Sequence, residues 1–493
     1  MHTNSYDVIV LGDQTPGLIA ATLCASRGLR VLVLESRIPQ HVYRIGSYQL
    51  PIQPLPFAGY SSPVIRRVLD SLNLEHALKR QLDVQEQGFQ LVGPDTRINV
   101  GGDDSELRRE IERELGGPRA SDYFLGASKV CKEFGGVLEN GTQLFQAGFW
   151  DRRDVARVEA KINGLADEWA QARPNDAISH PLLSLVAALT LPTAPAMLTS
   201  PAIARCFGVW RDGVPRFPQD GETLRQLLLE KFGNHSGEVR QGAATGLQVR
   251  WNRVTGVELD TGERLGAGHV LLASPISELA RLFGSKPSRR LLRSCENIAP
   301  VAYRYTLNLV VDSGGIPPGM ARTVLAIVDP DRPATNGNAF AVYRTAPDRD
   351  GRVTVTVTTT SRVPDKSESI QDVFGDLRVK LRQNLEMIMP FFAQHVLLAH
   401  SPYESTPAEG MEQDDFEAIP PCPVWESQFE SHFGVSGVPF ATGVKQVTCA
   451  SNQVLPGLGV EGDFYTAWVA AKQACAAVGK RRTTSMLASR AEI

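Results

Sequence analysis

The stretch YDVIVLGDQTPGLIAATLCASRGLRVLVLES, residues 6–36, leaves little freedom in how the chain begins. Residues 6–11 (YDVIVL) alternate too little for a strand with one wet face and suit a parallel strand buried on both. Thr15 is placed to cap a helix, and Pro16 to take its first position, where the missing N–H does no harm. Leu18, Ile19, Thr22 and Leu23 recur at helical spacing, and Gly28 offers a left-handed stop. RVLVLE then forms a second strand ending in Glu35. Strand, tight turn, helix and strand in this order make the parallel unit on which dinucleotides bind. The turn reads Gly12-Asp13-Gln14-Thr15-Pro16-Gly17. A G-x-G-x-x-G turn keeps its outer glycines here and carries glutamine at the middle one.

A chain of 493 residues has room for two or three domains and a large core. Its composition, 42% hydrophobic and 21% charged, is that of an ordinary globular protein. A net charge of −3 gives no electrostatic reason to expect nucleic acid. The basic run KRR at 480–482 sits in a polar tail expected to be solvated and frayed. Seven scattered cysteines without a C-x-x-C pattern point to reduced thiols rather than disulfides or zinc. The opening MHTNSYDVIV lacks the parts of a signal peptide, so a cytoplasmic chain is expected. Residues 177–204 carry no formal charge, but Pro192, Pro195 and Pro201 interrupt them. They read as buried cap helices, with contact at a membrane surface left open.

Further along, 104–115 and 151–172 read as amphipathic helices, the first stopped at Gly116-Gly117-Pro118. With 177–210 they suggest a helical insertion. Residues 217–232 give a helix, followed by a meander turning at Asn252-Arg253 and Thr261-Gly262 and a buried strand, HVLLAS. From 301 the chain is strand-rich, and RVTVTVTTT alternates like a one-sided antiparallel strand. A helix with one apolar stripe spans 367–389, an acidic, Pro-rich excursion 404–430, and a glycine-rich turn opens a last helix. No His, Cys, Asp and Glu cluster has metal-ligand spacing, and no G-x-S-x-G occurs. Asp13 reads as a local cap, and His41 and His180 as ordinary surface or core histidines. The residues name no catalytic acid or base.

In this order the parts resemble the FAD-dependent amine oxidase and phytoene desaturase-like flavoproteins. Four segments carry the likeness: the opening unit with Glu35, FPQDGETLRQLL (217–228), the meander with HVLLAS (239–274), and PGLGVEGDFYTAWVAA (456–471). The resemblance implies an α/β fold, with a Rossmann-type parallel sheet in a discontinuous FAD domain. It adds an α+β substrate domain with a helical cap. The FAD domain would comprise 1–95, 214–300 and 431–480; the substrate domain 96–213 and 301–430; and the polar tail 481–493.

By the same resemblance, Gly12, Asp13, Gln14 and Gly17 form the pyrophosphate turn and Glu35 accepts from the adenosine ribose. Gly457, Gly459 and Gly462 let backbone approach the isoalloxazine, and the last helix points its positive end at the ring. Gln40-His41-Val42, Asp220-Gly221 and Gly443-Val444 stand where the family carries other FAD-lining glycines. Two functions remain open. One is an FAD-dependent desaturase, dehydrogenase or isomerase acting on a hydrophobic, isoprenoid or lipid-like substrate. The other is a non-catalytic, flavin-less or weakly flavin-binding scaffold for a lipid-like ligand or a protein partner, as in Rab GDP-dissociation inhibitors. A third, weaker reading is a subunit whose partner supplies the missing contacts.

Overall fold

A computed structural model describes residues 4–37, 41–82, 88–139, 144, 149–217, 219–283, 289–405, 416–429 and 431–490. The opening unit forms strand β1 (Asn4–Leu11), helix α1 (Thr15–Ala25) and strand β2 (Val31–Glu35). The helix starts one residue earlier than its capping pattern suggests: Gln14 is its N-cap and Thr15 its first residue. Val8, Ile9, Val10 and Leu32 are sealed from solvent. Burial of such side chains contributes about 1.5–3 kcal/mol each, which is why a uniformly apolar run settles between neighbours on both faces.

β1 lies between β2 and the strand Arg264–Leu272 and runs parallel to both. Glu238–Gln241 extends the sheet beyond β2, and Val447–Cys449 pairs in parallel with the C-terminal half of Arg264–Leu272. The antiparallel meander of Ala244–Arg250 and Arg253–Leu259 hangs on the other half. This seven-stranded sheet thus draws on N-terminal, middle and C-terminal segments. The last helix, Gly459–Arg490, packs along α1 and continues to Arg490 within the stretch expected as a frayed tail.

A second sheet has eight strands. It includes the hairpin Phe89–Gly93/Thr96–Val100, whose turn contains the boundary expected at residue 95. One face, with Leu325, Ile327, Ala339, Ala341 and Tyr343, packs under the cap helices. The other, with Val324, Phe340, Val342, Val355 and Val357, packs on the helix Ile370–Leu385. RVTVTVTTT was expected to have one wet face. Instead Thr356, Thr358, Thr359, Thr360 and Ser361 are all buried, because this central strand is covered on both sides.

The cap comprises Asp104–Leu115, Pro118–Glu139, Phe149–Gln171, Ser179–Thr190 and Ser200–Arg211. The second of these is unread in the sequence. Pro118, which closes one helix pattern, opens the next, where a first-turn proline is well placed. Gln40, Pro218 and residues 406–415 of the acidic excursion lie outside the described residues.

The crossing of α1 over the sheet depends on Gly17, where a Cβ would come within 2.2 Å of the Ala273 Cβ. Gly17→Ala is expected to lose about 1–3 kcal/mol of stability through overpacking, read as a lowered Tm. An unchanged Tm would contradict this packing.

Candidate functional site

The C-terminal ends of β1, Arg264–Leu272 and Val447–Cys449 meet at the Gly12 turn, the edge at which parallel sheets bind ligands. Gly12 has φ +115, and a Cβ there would strike the Ala273 carbonyl at 2.4 Å, so glycine is required. Gln14 has φ −75, which suits any residue, so the lost glycine leaves the turn unstrained. What changes is the hydrogen bonding. The Gln14 N–H donates to the Ala273 carbonyl at 3.1 Å, and its Oε1 accepts the Asn452 N–H at 3.1 Å. The side chain therefore lies across the strand ends. Asp13 does not cap the helix; its carboxylate pairs with Arg37 at 3.3 Å.

Glu35 is 3% exposed and bound at both oxygens by Arg225, at 2.9 and 3.0 Å. Arg225 comes from the helix Gly221–Asn234, inside one of the segments that carried the family resemblance. Asp220 adopts φ +46, a conformation easier for the glycine expected at that place. Its carboxylate holds the Leu55 N–H at 2.9 Å and Arg216 at 3.0 Å. The His41 ring packs on Gly221, 2.6 Å from where a Cβ would lie, and burial holds its pKa below the usual value. Gly443-Val444 precede Val447–Cys449 and touch the meander turn through Asn252. They stand at the far end of that strand; Asn452 is the residue that reaches the Gly12 turn.

The glycines before the last helix separate into two groups. Gly457 and Gly459 line a cavity with Leu458, Val460 and Glu461. Gly459, at φ +54, turns the chain into the helix, while Gly462 packs on the Leu455 carbonyl away from that cavity. The cavity gives the centre of a water molecule about 170 Å³ of room. Leu55, Leu189, Leu191, Val209 and Trp210 supply apolar wall, and Gln53, Thr306 and Arg304 supply polar groups.

Charged residues at this cavity escaped sequence reading. Glu461, in the first helical turn, receives Arg205 at 2.6 and 2.9 Å and also the Ser62 hydroxyl. Arg205 also donates to the Cys131 carbonyl at 2.7 Å. The signal was present: an arginine within SPAIARCFGVWR, an otherwise apolar helix, calls for a buried carboxylate. Arg304, on the strand Ile298–Asp312, donates to the carbonyls of Leu189 and Leu191 at the end of a cap helix. Burial lowers its pKa from the ordinary arginine value, but a guanidinium stays charged in proteins.

Asp463 lies half-buried one turn into the last helix, and desolvation pushes its carboxyl up to about 8. A carboxyl whose folded pKa is raised binds its proton more tightly in the native state, so stability falls as pH rises. The loss begins near the unfolded value of about 4 and levels off above about 8. Asp463→Asn is therefore expected to leave stability nearly unchanged at pH 4 and to raise it progressively toward pH 8. Denaturant unfolding of both proteins across this range gives the difference; a pH-independent difference would contradict the assignment.

No family model and no curated protein sequence matches the chain. Solved structures do, over nearly its whole length. A putrescine oxidase redesigned in its cofactor binding has a TM-score of 0.60 at 12% identity, covering 97% of this chain and 99% of that one. Cyclohexylamine oxidase from Brevibacterium oxydans IH-35A has a TM-score of 0.59 at 14% identity, covering 97% and 100%. An oxidoreductase from Methanosarcina mazei has a TM-score of 0.59 at 12% identity, covering 94% and 99%. At these identities the likeness is one of fold, and the chain has the amine-oxidase fold that its four sequence segments resemble.

Proposed function

We propose that this chain is an FAD-dependent oxidoreductase of the amine-oxidase type, acting on a hydrophobic substrate. The observation that carries the reading is the cavity where Gly457 and Gly459 open the last helix beside the apolar cap. Buried polar atoms without partners support it: Asn452 Oδ1 and Gln453 Nε2, which follow Val447–Cys449. Such atoms destabilise a protein by about 1–3 kcal/mol each unless something bonds them.

The two halves of the site fit the cofactor differently. The cavity half fits, with glycine backbone, apolar walls and the start of a helix. In the Gly12–Glu35 half, the Gln14 side chain lies beside the helix N-terminus, bonded to the Asn452 N–H, and Arg225 occupies the Glu35 carboxylate expected to hold the ribose. Binding there requires both side chains to exchange partners. When bound, the flavin would supply the hydride acceptor. The protein's part is to exclude water with Leu189, Leu191, Val209 and Trp210 and to hold the substrate by its polar end. Among the described residues, no helix is long and apolar enough to cross a membrane.

Titration with FAD, followed by quenching of flavin fluorescence, tests the reading. The parent is expected to saturate. Gln14→Gly, which frees the Asn452 N–H, is expected to bind roughly tenfold more tightly, the worth of about one hydrogen bond. Failure of both folded proteins to saturate would remove the flavin from this account.

A further inference from the structure

We infer that the cavity selects a substrate with an apolar body and a carboxylate head, and disfavours the ammonium head of an alkylamine. The oxidoreductase reading gives this preference its use, but the charge argument stands on the side chains alone. Two arginines, Arg205 and Arg304, and one carboxylate, Glu461, line the cavity. Arg205 and Ser62 hold both oxygens of Glu461, so no carboxylate lining the cavity is left to receive a cation. Arg304 pairs with no acid among the described residues, and its protein acceptors are the carbonyls of Leu189 and Leu191.

The end of the helix Ser179–Thr190 gives Arg304 a partial negative charge, not a counter-ion. A guanidinium has five N–H donors, so most of its donors have no protein acceptor. A carboxylate accepts from these remaining donors, and a planar guanidinium binds it at both oxygens. An ammonium would meet an unneutralised like charge in a poorly solvated space, where the repulsion is weakly screened.

Calorimetric titration of the full chain with decanoate, decanol and decylamine tests the inference, with and without saturating FAD. Decanoate is expected to bind at least tenfold more tightly than decanol, and decylamine most weakly. Arg304→Met should bring decanoate down to the level of decanol while leaving decanol unchanged, which also shows that the cavity is intact. Arg304→Lys should restore part of the preference.

Several results would overturn it: no binding of decanoate, decylamine binding as tightly as decanoate, or an unaltered preference in Arg304→Met. Displacement of decanoate by FAD, with FAD affinity lost in Arg304→Met, would also overturn it by assigning these donors to the cofactor. If decanoate shows the expected pattern but FAD never binds, the head-group inference stands and the oxidoreductase reading fails.

Discussion

The ion pair between Arg205 and Glu461 joins parts of the chain that are 256 residues apart and has almost no contact with water. One partner belongs to the helical cap, the other to the first turn of the helix that follows the glycines. Removing either would leave a buried charge unpaired, typically at about 3–5 kcal/mol. Desolvation offsets much of the attraction, so the pair is better understood as fixing geometry than as adding stability. It sets how the cap meets the glycine turn, and the cavity is the space left between them. Ser62 and the Cys131 carbonyl complete the bonding, so this polar cluster adds no free acid to the cavity.

The same requirement for satisfied buried groups operates at the Gly12 turn, with a different result. In a β-α-β unit that holds a dinucleotide, the ligand engages the helix N-terminus and the acid after the second strand. Here the Gln14 side chain bonds the Asn452 N–H instead of the helix N-terminus, and Arg225 grips Glu35 at both oxygens. A ligand at this end would compete with these internal hydrogen bonds, whereas the cavity half offers open space.

The architecture was legible in the sequence where local pattern and burial agree. The apolar runs of β1 and β2, the glycine positions around α1 and the meander all specify one arrangement. The central strand RVTVTVTTT misled because alternation of valine and threonine indicates a wet face only when one face is left uncovered. Its threonines from Thr356 onward are buried under helices contributed from elsewhere in the chain. The glycines and Glu35 stand out in the sequence because their spacing is local, and of these Gly457 and Gly459 line the cavity. Arg225, Arg205, Glu461 and Arg304 do not stand out, because their meaning depends on partners far along the chain.

A crystal structure of the protein grown with FAD tests the central claim most directly. The account requires the flavin ring in the cavity beside Gly457 and Gly459, with the Gln14 side chain released from the Asn452 N–H. An empty cavity in crystals grown at saturating FAD, with the Gln14–Asn452 and Glu35–Arg225 contacts unchanged, would contradict it.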